Sequence, residues 1–442
     1  MGRPGELSAG QVYEVQIEPS APLAPTLVGR TDRGFEVELV GAIPGEQVRA
    51  LVTHVTGSGR AFGRVVSVQR AAPERQDPLC VHHLRCGGCD YLHVAPEAER
   101  ASKQRQLAEV VGLPVSEILE SPRPLGYRAL AKLVVTEEGL LGSYRAHSHD
   151  VEDMRGCLVH APGVERIIDR LRDALADEPR PVDLRYVLVR GSFADGKAVV
   201  TLVVRALSSP VPARLLPVLR AMPEVVRVIA TENDSEGDSL LVGGQEELLL
   251  DRGFPVERVG PIEQWLDAGA FAQVNPGAAA RLYERASLLA APSGRAVLDL
   301  YSGSGGLGLT MAAVGARMVT GIERSPEAVE AAARAAERLG YQNRTRFIAA
   351  KVNPEAIASV NAEVVVLNPP RAGAGEAVMR ALAAKAPYRM IYVSCNPMTL
   401  ARDLSILREG AQVLEERLLG VDLFPRTRHI EALYSAEISP RA

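Results

Sequence analysis

The tightest limit on the fold comes from the last third of the chain, where strand, glycine turn, helix, strand and acid succeed one another without a break. Ala296-Val297-Leu298-Asp299-Leu300 is a short, apolar run of the kind buried in a parallel sheet. Gly303-Ser304-Gly305-Gly306-Leu307-Gly308 then turns the chain, and Leu309 to Ala316 reads as a helix. Met318 to Ile322 is the next strand, it ends in Glu323, and a further helix begins near Pro326. This order predicts an α/β architecture with a doubly wound, Rossmann-like sheet, in which glycines admit a ligand to the backbone and the acid after the second strand holds ribose hydroxyls. Gly303, Gly305, Gly306 and Glu323 are therefore candidate cofactor-binding residues. The glycine pattern by itself suits a nicotinamide enzyme as well as an S-adenosylmethionine enzyme, so the residues at the later strand ends must decide between them.

There are two such strand ends. Val364-Val365-Val366-Leu367 runs into Asn368-Pro369-Pro370-Arg371, and Met390-Ile391-Tyr392-Val393 runs into Ser394-Cys395-Asn396-Pro397. Open α/β sheets place their chemistry at strand carboxyl ends. A hydride-transfer enzyme has no task for a Pro-Pro loop and a cysteine loop there, whereas methylation of a pyrimidine ring does. Carbon 5 of uracil is a poor nucleophile until a thiolate adds to carbon 6 and converts the ring to an enolate. Cys395 is the candidate thiolate, although a free thiol near pKa ~8.5 needs help to ionise. The carbon 5 proton must afterwards be removed, and Glu431 is the candidate base, provided that partial burial raises its pKa. The alternative for Glu431 is a surface carboxylate.

Five cysteines are present in 442 residues, and Cys395 is the only one outside a metal-like set. Cys80-x5-Cys86-Gly87-Gly88-Cys89 is followed much later by Cys157, and the Gly-Gly pair permits a tight turn with N–H groups directed toward sulfur. The uneven spacing is unlike paired zinc knuckles, so Cys80, Cys86, Cys89 and Cys157 are expected to ligate a [4Fe-4S] cluster, with zinc as the second choice and unligated cysteines as the third. His82, His83 and His93 lie nearby and are not counted as ligands.

Ahead of the cysteines, residues 8–72 alternate short Val-rich runs with Gly- and Pro-containing turns, which predicts a small OB-like β-barrel that either binds RNA or is a structural addition. Residues 73–262 are expected to form a central α+β domain around the iron–sulfur site, with a polar helix over about 95–111 that packs on the catalytic domain. Within it Arg123, Tyr127, Arg128, Lys132, Tyr144 and Arg145 interleave basic and aromatic side chains, as for RNA stacking or for an ordinary solvated face. Residues 263–442 are expected to form the catalytic domain. A net charge of −4 gives no bulk electrostatic argument for nucleic acid, and no stretch of ~18 apolar residues would span a bilayer. A cytoplasmic protein without membrane contact or an obligate protein partner is expected.

The cysteine cluster, Phe271-Ala272-Gln273-Val274-Asn275, Asp299-Leu300-Tyr301-Ser302-Gly303-Ser304-Gly305, Ser394-Cys395-Asn396-Pro397-x-Thr399-Leu400-Ala401-Arg402-Asp403 and Asp422-x-Phe424-Pro425-x-Thr427-x-His429-x-Glu431 together resemble the RNA uracil-5 methyltransferase family. The resemblance is strongest to the branch with an N-terminal TRAM domain and a [4Fe-4S] cluster that acts on 23S ribosomal RNA. It implies that Cys395 is the nucleophile and Glu431 the proton acceptor. It also implies that Gln273, Tyr301, Gly306 and Glu323 line the S-adenosylmethionine pocket, that the other four cysteines hold the cluster, and that the target base is flipped out of its RNA.

Two positions depart from the family pattern. Asn368 stands where the family has Asp, and Ala350-Lys351-Val352-Asn353 replaces a Gly-Asp-Ala-Glu-like stretch. An amide at 368 removes a negative charge from a cofactor-binding position facing a cation, although it still accepts a hydrogen bond. Transfer RNA as the substrate, a catalytically weakened RNA-binding homologue, an adenine or guanine amino-methyltransferase and a nicotinamide oxidoreductase are the competing readings.

Overall fold

The computed structural model describes residues 7–145, 149–176, 183–235, 244–266 and 272–440. The chain divides into two compact units. The first comprises the described residues of Met1–Gln106, Ser143–Met154 and Arg426–Arg428, and the second those of Leu107–Gly142, Arg155–Pro425 and His429–Ala442.

The first unit contains a closed five-stranded barrel built from Val12–Ile17, Thr26–Thr31, Glu36–Val40, Gln47–Val55 and Ala61–Arg70. Alternation of the β period puts Val15, Ile17, Leu27, Val37, Leu39, Val48, Ala50 and Val52 inside and leaves the intervening side chains outside. The turn Ile43-Pro44-Gly45-Glu46 is anchored from within. Glu46 is fully buried, accepts the Ile43 and Ala72 N–H groups at 2.9 and 3.2 Å, and pairs with Arg75. A second buried ion network lies in the same unit: Glu99 accepts Lys103 Nζ at 2.7 Å and Arg426 Nη1 at 3.1 Å.

Among the described residues the second unit holds the hairpin of Val256–Val259 and Ile262–Trp265 and two larger sheets. In one, Glu246–Asp251, Val225–Glu232, Ala198–Val204, Leu184–Gly191 and Leu130–Val135 lie side by side, and the wholly buried Ala198–Val204 is expected of a central strand. The other is the doubly wound sheet. Its order is Thr345–Ala349, Met318–Glu323, Ala296–Leu300, Val364–Leu367, Arg389–Ser394, Glu431–Pro440, Ala411–Val421 and Val115–Leu119. The first five strands are parallel, Glu431–Pro440 is antiparallel to its neighbours, and the edge strand Val115–Leu119 comes from outside residues 263–442. Leu107 and Val111, from the end of the helix Pro96–Val111, share a core with Leu298, Val365 and Tyr392.

One element starts earlier than the sequence predicts. The helix expected from Leu309 spans Gly306–Ala313, because Gly305, at φ +86°, caps it and brings Gly306 to Gly308 into its first turn. Tyr127 is also corrected as an RNA-stacking candidate: its ring is buried and its hydroxyl donates to the Pro425 carbonyl at 3.0 Å. Arg123 covers the Phe193 ring, Arg128 donates to its neighbour Leu130, and Arg145 pairs with Glu152, so these side chains are engaged within the protein. Among the described residues no helix is long and apolar enough to cross a membrane.

Candidate active site

The glycine turn after Ala296–Leu300 is shaped around two buried side chains. Asp299 accepts the Gly308 N–H at 2.8 Å through Oδ2, while its Oδ1 has no hydrogen-bond partner among the described residues. A Cβ at Gly306 would approach the Tyr283 hydroxyl to 2.6 Å, and one at Gly308 would approach Asp299 Oδ2 to 2.7 Å, so both positions demand glycine. Tyr301 and Gly303 adopt left-handed φ values of 60° and 52°. A non-glycine residue held there marks strain of the kind found at ligand sites. Glu323 is fixed across the mouth of the turn, accepting Gly303 N–H at 3.1 Å and Ser325 N–H at 2.9 Å. The turn therefore offers a glycine cradle, an orphaned buried carboxylate oxygen and a braced acid, an arrangement that fits an adenosyl cofactor carrying positive charge.

Gln273 lies just before the helix Pro276–Ala290, which Asn275 caps by accepting the Ala278 N–H at 3.2 Å. Burial raises the Tyr283 hydroxyl and the nearby Gln273 side chain opposes that rise, so Gln273 borders the same cradle. Phe271, which heads the same motif, lies outside the described residues. Asn368 follows the strand Val364–Leu367 and is tied to the turn by its N–H, 3.4 Å from the Leu300 carbonyl.

Cys395 and Glu431 are brought together by strand register. Arg389–Ser394 runs antiparallel to Glu431–Pro440 with Ser394 opposite Ala432, so the next residues at this end of the ladder are Cys395 and Glu431. Cys395 is partly exposed and directly precedes Asn396, the cap of the helix Pro397–Gly410, whose N-terminal dipole favours an anion. Glu431 is buried, 5% exposed, and burial pushes its carboxyl up to about 7 against the pull of Arg371. The Cys395 thiol is also raised, first by burial and then by the Glu431 charge, while Arg371 draws it down by charge and hydrogen bonding. Asp299 is raised to about 7 by burial, in spite of the Gly308 N–H. One arginine thus acts on both a thiol and a carboxyl, beside the glycine cradle. Thiol addition to an electron-poor ring and proton transfer near neutral pH are both within its reach.

Arg371, Asp299 and Tyr283 were not among the expected site residues. Arg371 had a signal, as the cation closing a Pro-Pro loop at a strand end. Tyr283 had none, because a tyrosine on a helix face reads as core.

The expected metal ligands divide between the units. Cys80, Cys86 and Cys89 lie in the first, where the Gly88 N–H is 3.3 Å from Cys86 Sγ, as the Gly-Gly turn predicts. Cys157 lies in the second, beside His160, whose Nδ1 is 2.8 Å from Glu165. Burial raises the Cys157 thiol, but hydrogen bonding and charge from His160 outweigh it and the net direction is down. The soft thiol donors suit iron or zinc. Among the described residues no group of three or more His, Cys, Asp or Glu side chains is placed to hold a metal ion, and the fit to a cluster is one of donor chemistry alone.

The tRNA (uracil-5-)-methyltransferase family model matches residues 263–435. An uncharacterised RNA methyltransferase of Halalkalibacterium halodurans is 31% identical over 428 residues, 92% of this chain and 93% of the relative. Another, from Geobacter sulfurreducens, is 34% identical over 432 residues, 91% of this chain and 85% of the relative. The crystal structure of Pyrococcus abyssi tRNA (uracil-54, C5)-methyltransferase with S-adenosyl-L-homocysteine shares the fold, with a TM-score of 0.77 and 23% identity, across 96% of this chain and 99% of that one. The chain belongs to the RNA uracil-5 methyltransferase family, whose members are S-adenosylmethionine-dependent RNA methyltransferases.

Proposed function

We propose that this protein methylates carbon 5 of a uridine in 23S ribosomal RNA, in the cytoplasm, with Cys395 as nucleophile and Glu431 as proton acceptor. The observation that carries the reading is the register that sets Cys395 and Glu431 at neighbouring strand ends, with Arg371 acting on both. Gln273, Tyr301, Gly303, Gly305, Gly306, Glu323 and Asn368 would hold S-adenosylmethionine. When bound, it supplies a methyl group as an electrophile.

As thiolate, Cys395 forms an S–C6 bond with the uracil ring, and the C5=C6 electron pair moves toward the carbonyl at carbon 4. Carbon 5 is then the nucleophile that accepts the methyl. Glu431 takes the carbon 5 proton, the electron pair restores C5=C6, and the S–C6 bond breaks. A carboxyl with pKa near 7 is half ionised at neutral pH, which suits a group that must accept a proton and later release it. The Arg371 cation favours the thiolate and tempers the rise of Glu431.

The barrel, as a TRAM-like RNA-binding module, and the cysteine set support ribosomal over transfer RNA. Cys80, Cys86, Cys89 and Cys157 would supply the thiolate ligands of a [4Fe-4S] cluster, the donors such a cluster takes. The test uses RNA containing 5-fluorouridine, whose carbon 5 fluorine blocks proton removal and traps the adduct. A methylated covalent complex is expected with the wild-type chain and is lost in Cys395→Ala. Mapping 5-methyluridine in 23S and transfer RNA from cells with and without the gene identifies the substrate; no covalent complex with any RNA sinks the proposal.

A further inference from the structure

The motif that carries Cys395 continues into Thr399, Arg402 and Asp403, residues to which methyl transfer itself assigns no task. At spacings of three and four they share one face of the helix Pro397–Gly410. That face meets the loop after Pro370. The Arg371 carbonyl accepts Asn396 Nδ2 at 3.1 Å and the Thr399 hydroxyl at 3.3 Å. Next along the loop, the Ala372 carbonyl accepts Arg402 Nη2 at 2.8 Å. The Ala374 N–H donates to Asp403 Oδ2 at 2.7 Å, and its carbonyl accepts the Tyr301 hydroxyl at 3.4 Å.

The anchor at the centre is wholly buried. Asp403, at 0% exposure, receives the Tyr392 hydroxyl at 2.7 Å on Oδ2 and the Arg402 guanidinium at 2.7 Å on Oδ1. A buried carboxylate is costly unless its oxygens are occupied, and here both are. Gly373 lets the loop lie flat on this surface. Its φ is +81°, and a Cβ there would come within 2.6 Å of Arg402 and 2.7 Å of Asp403.

We propose that Thr399, Arg402 and Asp403 are positioning residues that clamp the 371–374 backbone onto the helix after Cys395 and so hold the Arg371 guanidinium against nucleophile and base. The proposal rests on the assignment of Cys395 as the reactive thiol. It gives the long motif a physical reason: nucleophile and cation are mounted on one helix end and cannot drift apart. Through Tyr301 the same loop also reaches the cofactor cradle.

The test is the pH profile of Cys395 alkylation by iodoacetamide, read by peptide mass spectrometry on the full chain with neither RNA nor cofactor present. Removing a nearby cation raises a thiol pKa by about one unit or more. Arg371→Gln, Arg402→Gln and Asp403→Asn are each expected to move the midpoint upward by about one unit. The double variant Arg371→Gln/Asp403→Asn should match Arg371→Gln alone. Arg402 is half-exposed, so Arg402→Gln carries the test if Asp403→Asn does not fold. A wild-type profile in Arg402→Gln, an unmoved profile in Arg371→Gln, or additive shifts in the double variant would each overturn the clamp. Because no substrate is present, failure here leaves the 5-fluorouridine experiment intact, and failure there leaves this one intact.

Discussion

Replacing Glu431 by Gln should stabilise the protein, and the gain should depend on pH. Burial raises the Glu431 carboxyl from 4.5 to about 7, a difference of roughly 2.5 units that corresponds to ~3 kcal/mol at 1.36 kcal/mol per unit. With the residue 5% exposed, solvent screening takes little from this figure. The folded carboxyl holds its proton more tightly than the unfolded one. Its contribution is therefore present below the unfolded pKa of about 4.5 and is lost as pH rises through the folded value of about 7. Gln keeps the shape and carries no charge, so the variant escapes that loss. Urea unfolding of both proteins from pH 4.5 to 8.5 should show a gap of a few tenths of a kcal/mol at the acid end that widens to ~3 kcal/mol at the alkaline end. Asp299 shifts in the same direction but is present in both chains and cancels in the difference. Turnover should be lost in the same variant, the usual relation when a buried group is kept for chemistry at the expense of stability. A gap that stays flat across this range would refute the buried, proton-holding carboxyl and with it the acid–base role.

Asn368→Asp should tighten S-adenosylmethionine binding by about tenfold, ~1.4 kcal/mol, because a carboxylate returns negative charge to a site for a cation. Titration calorimetry showing equal or weaker affinity would contradict that account. Protein purified without oxygen should absorb broadly in the visible range and contain iron and sulfide, and both should be lost when Cys86 is replaced by Ser; a colourless, iron-free wild-type protein would remove the cluster.

Local signals carried much of this protein. Apolar runs ending in Asp299-Leu300, Leu367 and Val393 marked parallel strands whose ends bear Gly303 to Gly306, Asn368 and Cys395. The alternating Val residues of the first 70 residues marked a barrel. Period and turn chemistry are properties of neighbouring residues, and the chain writes them out in order. Tertiary structure decided the rest. Glu431 became a partner for Cys395 through the register of two strands distant in sequence, and its raised pKa came from burial beneath segments that no local pattern names. Arg371 gained its place from a clamp of Thr399, Arg402 and Asp403, the strand Val115–Leu119 joined the catalytic sheet from far upstream, and Tyr127 was withdrawn from the surface. Desolvation and charge proximity depend on which remote segments pack together, and only the folded chain holds that information.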